Sequence, residues 1–335
     1  MNLDREIDRM KRIESHLTSS NILSDIPKIK LNDGKSMPLI GYGTYKVGFV
    51  PSSATGSVGV DSGSADDAED IVKEALHVGY RFLDCAQFYG NERAIGRAIR
   101  DSGIKRSDIY LTSKVWNDTI YRGPNAVRAQ VLRSLSDLGT DYLDLYLIHW
   151  PVPNKHVDAY KMLVELQREG KIRSVGVSNY TIEDFKELQA AGVEVVPAVN
   201  QIEVNPWLYR RNTVAFFQKH GVLIQAYRAL RQGKEFENPL IQRLSRRLKR
   251  SPSQILGRWC IQNRIAYLAK TTKRARMLEN AQIFDFALTQ EDMIALGGLT
   301  TPENLAAFRE LYFKCVVRDT PLSRKKAEAR RITAE

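Results

Sequence analysis

Asp84, Tyr89, Lys114 and His149 stand at or just beyond the ends of short apolar runs in the first half of the chain. A phenol, with a pKa of about 10, is a poor acid at neutral pH. A nearby ammonium stabilises the phenolate and lowers that pKa, and a carboxylate keeps the ammonium charged and in place. A tyrosine so supported can donate its proton to an alkoxide as it forms. An imidazole can hydrogen-bond the same oxygen and orient the carbonyl. Such a set suits carbonyl reduction, with the hydride left to a cofactor. Each residue alone also has a plain structural reading. Asp84 can be a turn or helix-capping acid, His149 a satisfied core histidine, Lys114 a side chain reaching for solvent, and Tyr227, further on, a core residue.

The elements around them give the set its force. Short apolar runs, LIGYGT (39–44), RFLD (81–84), IYLTSK (109–114), LDLYLIH (143–149), IRSVGVS (172–178), VVPAVNQ (195–201), VLIQAY (222–227) and IAYLAK (265–270), read as strands. Helical patterns cover 66–78, 92–101, 123–138, 158–169, 182–191, 211–219, 239–248 with 253–262, and 276–281. Strict alternation of the two implies a parallel sheet. Eight such units predict a closed (β/α)8 TIM barrel rather than an open doubly wound sheet. The dinucleotide fingerprint of the open sheet is missing, because Gly41-Tyr42-Gly43 lacks its third glycine.

On this assignment Asp84, Lys114, His149, Ser178 with Asn179, Gln201, Tyr227 and Lys270 terminate seven successive strands at the same end. In a barrel that rim is where active sites form.

Ahead of the barrel, residues 28–40 read as an N-terminal β-hairpin turning at Asn32-Asp33-Gly34. Residues 1–27 form an extension in which Ile7, Met10, Ile13 and Leu17 suggest a short amphipathic helix. The Ser-, Gly- and Asp-rich stretch 51–67 reads as a flexible loop insertion. The barrel is expected over 28–300, followed by a C-terminal segment and basic tail at 301–335, with extra helices.

Composition is that of a soluble globular protein, 43% hydrophobic and 27% charged over 335 residues. No run is long and apolar enough for a membrane span, and the first residues lack the apolar core of a secretory signal. A cytoplasmic location is the expectation. Cys85, Cys260 and Cys315 are too few and scattered for a disulfide framework, and neither they nor the histidines have metal-ligand spacing. The net charge of +11 gathers at 243–250, 270–276 and 323–331. Solvated faces and a basic tail explain it most simply. Binding of nucleic acid would need a recognisable module that is missing, and attraction of an anionic ligand remains a reading for the middle cluster.

Over residues 28–300 the chain resembles the aldo-keto reductase family. RFLDCAQFYGNE (81–92), LYLIHWP (145–151) and KTTKRARMLEN (270–280) carry the resemblance, with SKVW, GVSN, NQIEVNP and ILGRWCIQ in the expected order. It implies a catalytic set of Tyr89, Lys114, Asp84 and His149. It implies NADPH as cofactor: Gly43, Thr44, Tyr45 and Asp84 near the nicotinamide, Ser178, Asn179 and Gln201 on its carboxamide, and Tyr227 stacked on its ring. Lys270, Thr271 and Arg276 would hold the 2′-phosphate, and Glu279 and Asn280 the adenine. Tyr45, Tyr89, Trp116, His149 and Trp150 would make an aromatic substrate pocket, with Val47 at its edge, suited to apolar or flat carbonyl compounds.

The pattern departs from the family in places. Arg228-Ala229-Leu230 replaces a usual Ser-Pro-Leu, so Arg228 stands where a pyrophosphate-binding serine is common, with Leu230 beside it. The short 231–238 loop is similar to that of bacterial-type diketogluconate and glyoxal reductases. Cys85 replaces a frequent threonine, and Ala269 a proline. The C-terminal stretch has no usable match, which leaves the substrate open. The expected protein is a monomeric reductase of a small carbonyl compound, with no specific nucleic acid or membrane partner. The alternative is a barrel that binds NADPH as a regulatory or redox-sensing device without turnover.

Overall fold

The computed structural model describes residues 26–48, 65–329 and 332. The amphipathic helix expected in 1–17 and most of the 51–67 loop lie outside the described residues. Residues 65–67, where the loop reading and the helical pattern from 66 overlapped, are helical, because the first helix, α1, spans Ala65–Val78.

Eight parallel strands close into a barrel: β3 Ile40–Gly43, β4 Phe82–Asp84, β5 Tyr110–Val115, β6 Leu143–Ile148, β7 Ile172–Ser178, β8 Val199–Glu203, β9 Leu223–Tyr227 and β10 Ala266–Ala269, the last pairing with β3. Both β5 and β6 are buried along their whole length. Helices cover the outer face and side chains fill the interior, which is why the runs are continuously apolar rather than alternating. At Gly41 the inner space is so tight that a Cβ would come within 2.6 Å of Phe82 and Leu268.

The helices that cover the barrel include α2 Glu92–Asp101, α4 Pro124–Leu138, α5 His156–Arg168, α6 Ile182–Ala190, α7 Arg211–Lys219, α8 Pro239–Leu248, α9 Pro252–Gln262 and α10 Arg274–Ala281. A short helix, α3 Asn117–Arg122, was not expected from the sequence pattern. In β8 the strand starts two residues beyond Pro197, not at Val195. Proline has no N–H for the ladder, so pairing begins only after it.

The predicted hairpin is present, β1 Lys28–Lys30 against β2 Ser36–Pro38. Its Leu31 and Met37 join Phe82, Leu145, Leu147, Val199, Leu223 and Leu268 in a separate apolar cluster. Phe82, Val199 and Leu223 are the first residues of their strands, so the hairpin packs against the N-terminal end of the barrel. The functional groups are left at the opposite end.

C-terminal helices α11 Gln290–Gly297, α12 Pro302–Val316 and α13 Arg324–Glu328 complete the described chain. From α12, Phe308, Tyr312, Phe313 and Val316 pack with Trp116, Trp150 and Leu208 into a third cluster at the barrel mouth. Among the described residues no helix is long and apolar enough to cross a membrane.

Candidate active site

Strand register brings the four chemistry-bearing residues together. Asp84 closes β4 and Lys114 lies in the neighbouring β5. Tyr89 ends a 3₁₀ turn, Gln87–Tyr89, which Gly90 terminates in the left-handed conformation at φ 69°. His149 directly follows β6, its backbone N–H donating to the Val115 carbonyl.

The Lys114 ammonium is fully buried and donates to the Asp84 carboxylate at 2.9 Å, to the Cys85 carbonyl at 2.8 Å and to the Tyr89 hydroxyl at 3.2 Å. It does not reach solvent, so the snorkelling reading fails. The other Asp84 oxygen accepts from Gln201 Nε2 at 2.8 Å, and Gln201 also donates to Gln225. His149 stands edge-on to Tyr89 with ring centres 6.0 Å apart, and to Trp116 at 4.8 Å. Its Nδ1 is buried without a hydrogen-bond partner among the described residues.

One electrostatic expectation is reversed. The Tyr89 phenol is pushed well above its ordinary range, by burial first and then by the Asp84 charge. Desolvation outweighs the ammonium, and the phenol stays neutral. Burial, helped by Lys114 and Arg318, holds the His149 imidazole well below its usual range, so it is neutral too.

The residues expected near a nicotinamide lie around this centre. Gly43 ends β3, where an added Cβ would meet Ala269 and Lys270 at 3.7 Å, an ordinary van der Waals contact. Thr44 is buried and donates its hydroxyl to the Asp84 carbonyl. Tyr45 is 40% exposed and tilts over Tyr89 at 5.1 Å. Ser178 donates to the Gln201 carbonyl, and Asn179, at φ 60°, donates to the His149 carbonyl and to Ser178. The Tyr227 hydroxyl donates to Asn179 Oδ1 at 2.7 Å. One connected network thus links β4, β5, β7, β8 and β9.

Further out, Lys270 is exposed beyond β10, and its pKa is lowered by partial desolvation and by the Lys46 ammonium. Two ammonium groups near enough for one to act on the other's charge suit an anion. Lys46, at φ 57°, was missed in the sequence, although it directly follows the Gly43-Thr44-Tyr45 segment. Thr271 accepts from Tyr42 through its carbonyl. Arg276 is exposed on α10, Glu279 accepts from Ser253, and Asn280 is buried. Arg228, at φ 52°, pairs with Glu203 at 3.2 Å, and Leu230 packs against the main core.

In the aromatic wall, Trp116 stacks on Phe88 at 4.0 Å and donates its indole N–H to Asp319 at 2.6 Å. Trp150 meets Tyr312 at 6.3 Å. Val47 is fully buried in the main core rather than at the pocket edge. Phe88, Arg318 and Asp319 were not singled out in the sequence. The first lies inside a motif read for its neighbours, and the other two lie in a stretch with no pattern to read.

Elsewhere, the three cysteines are free and buried. His156, Asp184 and Glu187 approach one another closely enough to hold a cation. The ring nitrogens of His156 are engaged by Tyr180 and Glu187, however, and Tyr312 donates to both oxygens of Asp184.

The family model described as Aldo/keto reductase family matches residues 39–238. Glyoxal reductase of Bacillus subtilis is 35% identical over 277 residues, covering 83% of this chain and 94% of that protein. An aldo-keto reductase of Mycolicibacterium smegmatis is 39% identical over 282 residues, covering 83% and 95%. Among solved structures, a Gox0644 mutant in complex with NADPH superposes with a TM-score of 0.75 at 32% identity, covering 84% and 96% of the two chains. A Bombyx mori aldo-keto reductase in complex with NADP gives 0.72 at 30%, covering 82% and 92%. With the barrel, the polar rim and these likenesses in agreement, the chain belongs to the aldo-keto reductase family.

Proposed function

We propose that the protein is an NADPH-dependent oxidoreductase that reduces aldehydes or ketones to alcohols, with Tyr89 as the proton donor. The observation that carries this reading is the fully buried Lys114 ammonium, held within hydrogen-bond reach of both Asp84 and Tyr89. The chemistry a nicotinamide supplies when bound is a hydride to the carbonyl carbon.

The protein's part is the other half of the reduction. A neutral Tyr89 hydroxyl can give its proton to the carbonyl oxygen as negative charge builds there. The phenolate left behind meets the Lys114 ammonium at 3.2 Å, and Asp84 fixes that ammonium. His149, held neutral, orients the carbonyl by a hydrogen bond to the same oxygen.

The neighbouring charges of Lys46 and Lys270 suit a nicotinamide dinucleotide that carries a 2′-phosphate besides its pyrophosphate. Ser178, Asn179 and Gln201 would take its carboxamide, and Tyr227 would take its ring. Lys270, Thr271 and Arg276 would take its 2′-phosphate, and Glu279 and Asn280 its adenine. The NADPH- and NADP-bound neighbours support this choice.

The test is NADPH oxidation across a panel of carbonyl compounds by the parent and by Tyr89→Phe. Turnover by the variant is expected to fall by about 10²- to 10⁴-fold with cofactor binding retained. If both proteins consume NADPH at one low rate on every compound, the regulatory reading replaces the enzymatic one.

A further inference from the structure

Arg210 stands immediately before α7, on the connection from β8, and is buried at 2% exposure. One face of its guanidinium lies on the Phe308 ring of α12, with 4.0 Å between the guanidinium carbon and the ring centre. Its Nε and Nη2 are both buried and have no hydrogen-bond partner among the described residues. These two nitrogens form one edge of the planar fork, so their N–H bonds run side by side toward the same space.

Among the described residues no carboxylate is within ion-pair distance of this group. Glu203 and Asp184 are near enough for their charges to be felt, yet Glu203 pairs with Arg228 at 3.2 Å and Asp184 accepts from Thr181 and Tyr312. The helix adds to the deficit. Its first turn holds no acidic residue and Arg210 gives it no side-chain cap, so the positive end of the α7 dipole lies beside a positive side chain. Burial lowers the pKa of Arg210 to about 10, which leaves it charged at neutral pH.

A buried guanidinium with an unmet edge and no counter-ion is costly, and native interiors seldom keep one. An anion on that edge would meet both donors, balance the charge and occupy the favourable place at a helix N-terminus. Water would meet the donors but leave the charge. So little of Arg210 is open to solvent that the occupant has to be compact, a single ion rather than an organic acid.

We infer that Arg210 anchors a binding site for a small inorganic anion, a halide such as chloride, held by the Nε–Nη2 edge at the start of α7. The ion would stabilise the junction in which Arg210 joins the start of α7 to Phe308 of α12. Neither cofactor nor substrate enters this role, so it stands apart from the reductase reading.

The test is thermal unfolding of the whole chain in sodium chloride against sodium gluconate at one ionic strength, for the parent, Arg210→Met and Arg210→Lys. Replacing gluconate so that chloride rises about a hundredfold should lift the Tm of the parent by a few degrees, as binding to the folded state alone requires, with the rise set by saturation of one site. Arg210→Met keeps the stem against Phe308 without the charge, and its Tm should not respond. At the lowest chloride it should equal or exceed the parent, because no stranded charge remains, and at the highest the parent should lead. Arg210→Lys, a point charge without the fork, should respond more weakly than the parent.

Crystals of the parent grown with bromide in place of chloride need no variant, and anomalous scattering should place a bromide on the Nε–Nη2 edge of Arg210. Water alone on that edge, or a carboxylate turned onto it, overturns the site. So does a Tm that responds to chloride equally in the parent and in Arg210→Met, because the effect is then a general one of the salt.

Discussion

The Lys114 ammonium and the Asp84 carboxylate form an ion pair at 2.9 Å with side-chain exposures of 0% and 5%. Solvent neither screens nor replaces this pair, so removing one partner leaves a charge stranded in the interior. Lys114→Met is therefore expected to cost about 3–5 kcal/mol of stability, as broken buried pairs do. Adding Asp84→Asn to it should recover much of that loss, because no buried charge then remains. Reductive turnover should stay low in both, since neither leaves an ammonium for the Tyr89 phenolate. Urea unfolding with parallel assays checks both halves. A Lys114→Met protein as stable as the parent would show that the pair is not as closed as its geometry indicates.

The Lys46–Lys270 pair makes the cofactor choice testable. Partial burial and the Lys46 ammonium disfavour the charge on Lys270, and a bound phosphate would relieve that. Lys270→Met with Arg276→Met should weaken NADPH binding by roughly ten- to a hundredfold, the worth of lost charge-assisted bonds. NADH, lacking the 2′-phosphate, should be much less affected. Fluorescence titration with the two cofactors reads the difference. Equal weakening of both would place the 2′-phosphate elsewhere.

His149 gives a pH dependence of definite sign. An unfolded chain takes up its imidazole proton near pH ~6.5, whereas burial, Lys114 and Arg318 delay that uptake in the folded protein. Between those two points the unfolded state binds more protons, so stability falls as the pH drops through the window and is unaffected above it. Comparing the parent with His149→Gln cancels the carboxylates common to both. The parent should lose ground to the variant as the pH goes from about 7 to about 5. Unfolding curves whose separation does not change with pH would contradict a neutral buried imidazole.

The barrel and most of the rim are legible in the sequence because burial on both faces leaves continuous apolar strands, against which Asp84, Lys114, His149 and Gln201 stand out. Pro197 shows the limit of that pattern, since apolar content ran on through a residue unable to pair. The direction of the Tyr89 shift was not legible at all. Residue types show that an ammonium is near, but only the fold shows how completely water is removed. Arg318 and Asp319 were hidden for another reason. Their roles come from contacts with Phe88 and Trp116, which are far away in the chain, and no local periodicity records such contacts.

The attachment of the C-terminal helix to the barrel is itself open to test through Tyr312. This side chain is fully buried, and its hydroxyl donates to the Asp184 oxygens at 2.9 and 2.7 Å. Asp184 in turn belongs to the capping box that starts α6 with Thr181. A hydrogen bond from Tyr312 thus joins α12, and through it the Trp116 and Trp150 cluster, to the N-terminus of a barrel helix. Tyr312→Phe removes the donor while preserving the ring, and bonds to charged groups contribute about 1.5–3 kcal/mol. Stability should fall by that order, and amide exchange in 302–316 should quicken well before exchange in β5 and β6, which lie deep in the barrel. Asp184→Asn should cost more than Tyr312→Phe, because it weakens the α6 cap as well. If Tyr312→Phe matches the parent in both stability and exchange, apolar packing alone holds α12 in place, and the wall beside Arg318 does not depend on this bond.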